Sequence, residues 1–178
     1  VIGSNGMLGS KIVKILNERK IGYLTVARNN SNFNLNLKNY YSLEKIFKEN
    51  SFKYVINCAA KINIDSCERY YKQAFLINSL VPKNLTKLST KYGFKLIQIS
   101  TDAFYLNTKN ILNKETNRLY AINNYSKTKL LGEKFVKKNK KSLIIRTNFT
   151  GKEFKKNSKR FVDWIYRSLK YKKKINLF

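Results

Sequence analysis

The sequence predicts an α/β fold, a doubly wound parallel sheet with helices on both faces. Three observations predict it. Short apolar runs alternate with helically spaced stretches at intervals of about 20 to 40 residues, the pattern of successive βαβ units. A glycine-rich turn, residues 3–9, joins the first apolar residues to the first helical stretch. No internal repeat and no Gly/Pro/Ser linker divides the 178 residues, a length that suits one domain.

Val1-Ile2 is shorter than a buried strand of about 4 to 6 residues. The chain is therefore expected to begin inside its first strand and, with its abrupt end at Phe178, to be a fragment. Leu8, Ile12, Val13, Ile15 and Leu16 have helical spacing over 7–19. Gly22 breaks that pattern, 23–27 (YLTVA) reads as a strand, and 29–34 as a polar loop. Ser42 is the expected N-cap of a helix over 43–49. Residues 54–58 (YVINC) form a strand, and 70–92 a long helix that Pro82 bends. Strands follow at 95–100 (KLIQIS) and 142–146 (SLIIR), separated by an amphipathic helix over 124–139. A basic helix over 158–171 closes the chain.

Composition narrows the chemistry. There is no histidine, which removes His general bases, His-based triads and His-ligated metals. Two cysteines are too few for a disulfide framework or a structural zinc site, and read as reduced thiols. No apolar run approaches the roughly 20 residues of a membrane span, and no signal peptide is visible. The 37 Lys+Arg against 10 Asp+Glu give a net charge of +27. That charge invites a nucleic-acid reading, helped by aromatic residues interleaved with lysines between 152 and 174. The competing reading is compositional drift, because Lys outnumbers Arg 30 to 7 and Asn and Ile are also abundant. Aromatic residues at that spacing more often form the buried face of a helix.

Two motifs carry chemistry. Gly3-Ser4-Asn5-Gly6-Met7-Leu8-Gly9 is a G-x-x-G-x-x-G turn that follows a strand and opens a helix. One glycine permits the tight turn, the next lets backbone N–H groups approach a pyrophosphate, and the third lets helix and strand pack closely. At the end of the second strand an NAD-selective site usually carries an acid. Residues 21–38 hold no Asp or Glu, and Arg28 is placed to pair with a 2′-phosphate, which favours NADP(H) over NAD(H). Tyr125 and Lys129 form a Y-x-x-x-K pair on one helix face. An ammonium beside a phenol is expected to lower the tyrosine pKa and prepare it for proton transfer. Ser100-Thr101-Asp102 ends the fourth strand, where ligands of parallel sheets sit.

The glycine turn, Asn57-Cys-Ala-Ala60, Ser100-Thr-Asp102, Tyr125-x-x-x-Lys129 and Arg146-Thr147 occur in the order of the extended short-chain dehydrogenase/reductase family. The stretches 55–68, 74–78 and 125–133 resemble its sugar-nucleotide reductase branch. That resemblance covers nearly the whole chain and implies a Rossmann-like fold: a cofactor domain over 1–150, then a basic helical segment, 151–178, leading into a truncated substrate-binding lobe. It implies a cytoplasmic, NAD(P)H-dependent reductase of a nucleotide-linked 4-keto-6-deoxy sugar, with a nucleotide sugar and a second copy as partners, and neither nucleic acid nor membrane.

By the same resemblance Tyr125 protonates the keto oxygen, Lys129 holds the nicotinamide ribose, and Thr101 hydrogen-bonds the reacting oxygen. Gly3, Asn5, Gly6, Met7, Leu8 and Gly9 cradle the pyrophosphate; Cys58, Ala59, Ala60, Lys61, Asn78 and Ser100 line the cofactor cleft. Asn36-Leu37 stands where the family often has Asp followed by Leu or Ile beside the adenine. Asp102 and Asp65 face the substrate, and Glu68 matches a nearby acidic position; helix-start charges explain Asp65 and Glu68 equally well. Ala103 stands where the related dehydratases have a catalytic acid, so elimination is disfavoured. An epimerase and a non-catalytic sugar-nucleotide-binding subunit remain the alternatives.

Overall fold

The computed structural model describes residues 1–105, 112–148, 161–172 and 174. The chain divides into two compact units, Val1–Thr147 and Asn148–Phe178.

Among the described residues of the first unit all strands run parallel. Five are regular: β1 (Val26–Ala27), β2 (Phe33–Asn34), β3 (Tyr54–Asn57), β4 (Lys95–Ser100) and β5 (Leu143–Arg146). β1 pairs with β2, β3 with β4, and β4 with β5. The expected first strand is reduced to Ile2, which bridges Val26 on one side and Asn57 on the other. The spatial order is thus β2, β1, Ile2, β3, β4, β5, the doubly wound order with its reversal at Ile2. Ile2 is 1% exposed, as the centre of such a sheet demands.

The helices are α1 (Met7–Glu18), α2 (Tyr40–Glu49), α3 (Ile64–Arg69), α4 (Tyr71–Phe75), α5 (Val81–Tyr92) and α6 (Asn124–Val136). The crossing through α1 runs one way along the sheet; those through α2, α5 and α6 run the other. Right-handed crossovers therefore put α1 on one face and the other three opposite. There α2 packs on α5 and α5 on α6. Leu43, Ile46, Phe47, Val81, Leu85, Leu88, Phe94, Leu96 and Val136 fill the core with Ile2, Val26 and Val55.

Several expectations are corrected. Asn39, not Ser42, caps α2: its side chain accepts from the Ser42 N–H at 3.1 Å, so the helix begins at Tyr40. The strand expected over 23–27 keeps only Val26–Ala27, and the expected polar loop contains β2. Asn32 Oδ1 accepts from the Thr25 N–H and hydroxyl at 2.9 and 2.7 Å, folding the connection back far enough for parallel pairing. The expected long helix is divided into α4, a π-helical turn (Leu76–Leu80) and α5. Pro82 sits in the first turn of α5, where its missing N–H costs nothing, so it opens that helix. Gly93, at φ 77°, ends it. α6 stops at Val136, short of Asn139.

In the second unit α7 spans Phe161–Lys170; the start expected at Ser158 lies outside the described residues. Tyr166 and Tyr171 are exposed, whereas a buried aromatic face was expected; Ser168 is buried.

Candidate active site

Because the sheet is parallel, the residues that follow Ile2, β1, β3 and β4 all emerge at its carboxyl end. Gly3 leaves Ile2 at φ +75°, a conformation that needs glycine, and its N–H donates to Val26 O at 2.8 Å. A Cβ at Gly3 would lie 2.7 Å from Ala59 N, and one at Gly9 would collide with the Gly3 carbonyl oxygen. α1 therefore starts pressed against the strand ends. Its N-cap, Gly6, provides no side-chain cap, and its first turn has no acid, so Met7 and Leu8 begin a helix whose leading N–H groups can meet an anion.

That turn borders a cleft of about 810 Å³. Gly3, Asn5, Gly6, Arg28, Asn36, Leu37, Cys58, Ala59, Ala60 and Lys61 line it, all of them expected cofactor residues. Asn29, Lys38 and Gln73 also line it and were missed; Lys38 lies two residues past Asn36 in an already basic sequence, so nothing marked it. The Asn5 side chain donates to Asn29 O at 2.5 Å, joining the glycine turn to the end of β1. Asn36 Oδ1 accepts from the Lys38 N–H at 3.2 Å. The glycine cradle, the uncapped helix start and the volume together fit a dinucleotide.

Asn78, in the π-helical turn, links this cleft to α6. Its Oδ1 accepts from the Lys61 N–H at 2.9 Å, and its Nδ2 donates to Lys61 O at 3.0 Å and Thr128 Oγ1 at 3.1 Å. Gly132 lets α6 approach, since a Cβ there would strike Asn78 O.

α6 is started by Asn123 and Ser126, which cap each other reciprocally. Glu68 adds a second clamp: its carboxylate accepts from the Asn124 backbone N–H and side-chain amide, both at 2.7 Å. Asp65 is exposed in the first turn of α3. The clamp holds the turn of α6 that carries Tyr125, a half-buried phenol close enough to Thr101 to be affected by its side chain. Thr101 is 7% exposed and also accepts from the Ala103 N–H at 3.2 Å. Ser100 Oγ, at the end of β4, is buried with no hydrogen-bond partner among the described residues, as is Ser142 Oγ just before β5.

Tyr125 does not behave as its spacing from Lys129 predicts. Burial pushes the phenol above 10.0; the nearby Thr101 side chain opposes this, and Cys67 and Asp102 add to it. Lys129 does not contribute. Its Nζ donates instead to Ile99 O at 2.7 Å, with the residue 4% exposed. Burial pulls that ammonium down to about 8, against the opposing pull of Glu133 and Cys58. Glu133, 1% exposed, receives Arg146 through both carboxylate oxygens, the closest contact being 2.7 Å. The Arg146 guanidinium also donates to Tyr105 Oη at 2.8 Å and Glu115 O at 3.1 Å. Glu133 and Arg146 occur in the sequence motifs, but only the structure shows them paired under Lys129. The one available signal was an acid four residues after Lys129.

Among the described residues no cluster could hold a metal ion, and no helix is long and apolar enough to cross a membrane.

The chain is similar to spore coat polysaccharide biosynthesis protein SpsK of Bacillus subtilis, 29% identical over 84% of this chain and 52% of that protein. The structure of a dTDP-4-dehydrorhamnose reductase from Clostridium acetobutylicum superposes with a TM-score of 0.84 at 32% identity, covering 96% of this chain and 58% of that one. The Bacillus anthracis dTDP-4-dehydrorhamnose reductase in complex with NADP gives 0.84 at 27%, covering 98% and 60%. The chain spans about half the length of the curated relatives it matches. These neighbours share the Rossmann-like fold. The RmlD substrate binding domain family matches residues 1–178, and the chain belongs to that family.

Proposed function

We propose that this chain is the cofactor-binding and proton-donating part of an NADP(H)-dependent reductase. Its substrate is a nucleotide-linked 4-keto-6-deoxy sugar, as the named dTDP-4-dehydrorhamnose reductases imply, and its setting is cytoplasmic synthesis of cell-surface polysaccharide sugars. One observation carries the reading: the glycine cradle and its cleft open at the carboxyl end of the parallel sheet, the end at which Thr101 follows β4 and Tyr125 interacts with it.

Bound NADPH supplies a hydride to the ketone carbon. Gly3, Gly6 and the start of α1 receive the pyrophosphate; Asn36 and Leu37 border the adenine, and Arg28 the 2′-phosphate. Lys129 holds the nicotinamide ribose. Thr101 orients the Tyr125 phenol and the keto oxygen, and Tyr125 Oη gives that oxygen its proton. The phenol carries the proton at neutral pH, as a tyrosine ordinarily does.

NADPH oxidation with a dTDP-4-keto-6-deoxy sugar tests the reading. Tyr125→Phe is expected to cut turnover about 10²- to 10⁴-fold while leaving NADPH affinity nearly unchanged. Unchanged turnover removes Tyr125 from the mechanism.

A further inference from the structure

Lys129, Glu133 and Arg146 bring three charges into one buried region between α6 and β5. Lys129 and Glu133 are one helical turn apart on the same face of α6, a spacing at which an ammonium and a carboxylate ordinarily meet. They do not meet. Glu133 presents both oxygens to Arg146, with N–O distances of 2.7, 3.0 and 3.2 Å. Lys129 reaches across to Ile99 O on β4 instead. The planar guanidinium is suited to hold both oxygens, which a lysine cannot do. Arg146 is itself fixed by Tyr105 and the Glu115 carbonyl, and its guanidinium lies 5.9 Å from the Phe104 ring centre and 5.7 Å from that of Tyr105.

We propose that Arg146 is a positioning residue for Lys129: by occupying the Glu133 carboxylate it withholds that partner and leaves the ammonium directed at the strand ends. The assignment of a cofactor-holding role to Lys129 rests on the function proposed above; the positioning itself does not. The groups facing Lys129 are Glu133 on α6, Cys58 after β3, the Ile99 carbonyl on β4 and, through Glu133, Arg146 on β5. With Arg146 gone, Lys129 folds back onto Glu133, its charged form is favoured, and its contact with the Ile99 carbonyl is given up. A clamp that only braced the fold would change stability and leave the Lys129 titration where it is.

The test is NMR titration of Lys129 in the chain without cofactor, using ¹³C-lysine labelling and assignment by the signal lost in Lys129→Met. In Arg146→Met the Lys129 midpoint is expected to rise by about one pH unit or more. In Glu133→Gln it is expected to fall, and in that background adding Arg146→Met is expected to have no further effect. An unmoved midpoint in Arg146→Met, or the same rise with and without Glu133, overturns the proposal. Where Arg146→Met does not fold, Arg146→Lys carries the same test with a smaller expected rise. Because no cofactor is present, the result stands apart from whether NADPH binds.

Discussion

The Lys129 ammonium donates to the Ile99 carbonyl oxygen at 2.7 Å, spanning from α6 to the carboxyl end of β4. This contact ties the helix carrying Tyr125 to the strand that ends in Ser100 and Thr101. It also keeps a charged group in a place with little water.

That placement costs stability. Lys129 titrates at about 8 in the folded chain against an ordinary 10.5, so the unfolded chain binds the proton more tightly. The cost is fully present below pH 8 and is relieved as pH rises towards 10.5. Lys129→Met is therefore expected to gain about 1 to 3 kcal/mol at pH 7 and to lose that advantage at high pH. Urea unfolding of both proteins across pH checks this; equal stability at pH 7 contradicts it.

Gly9→Ala pits two effects against each other. Alanine in a helix interior gains about 1 kcal/mol over glycine. Here its Cβ would meet the Gly3 carbonyl oxygen, part of a turn held by the Gly3 N–H bond to Val26. Overpacking against backbone costs about 1 to 3 kcal/mol and wins. Thermal unfolding is expected to show a net loss, with NADPH affinity reduced at least about tenfold. Gly22→Ala, where a Cβ meets nothing, serves as the control.

Glu68 is exposed, yet both its oxygens hold Asn124. Glu68→Ala is expected to cost about 1 kcal/mol or less in stability, since solvent screens the site. Turnover is expected to fall more than stability, because the loosened turn carries Tyr125. Glu68→Gln retains an acceptor for the backbone N–H and should recover part of the loss. Full turnover in Glu68→Ala would remove the clamp from the account.

Local patterns were legible in the sequence; long-range pairings were not. The alternation of elements, the glycine turn and the Tyr125–Lys129 face all depend on residues close in sequence. The pairing of β1 with β2 depends on Asn32 folding back to Thr25, which no apolar alternation announces. The break before α5 depends on Asn78 reaching Lys61 and Thr128. Glu68 and Asn124 are 56 residues apart. For Tyr125, spacing gives the neighbour Lys129, and only the fold gives the burial that raises its pKa. The net charge of +27 pointed to no particular partner.

Fluorescence titration of the chain with NADPH and NADH tests the central claim most directly. The account predicts saturable binding of both, NADPH at least about tenfold tighter, and a preference that shrinks in Arg28→Ala. No saturable binding, or a clear preference for NADH, would contradict it.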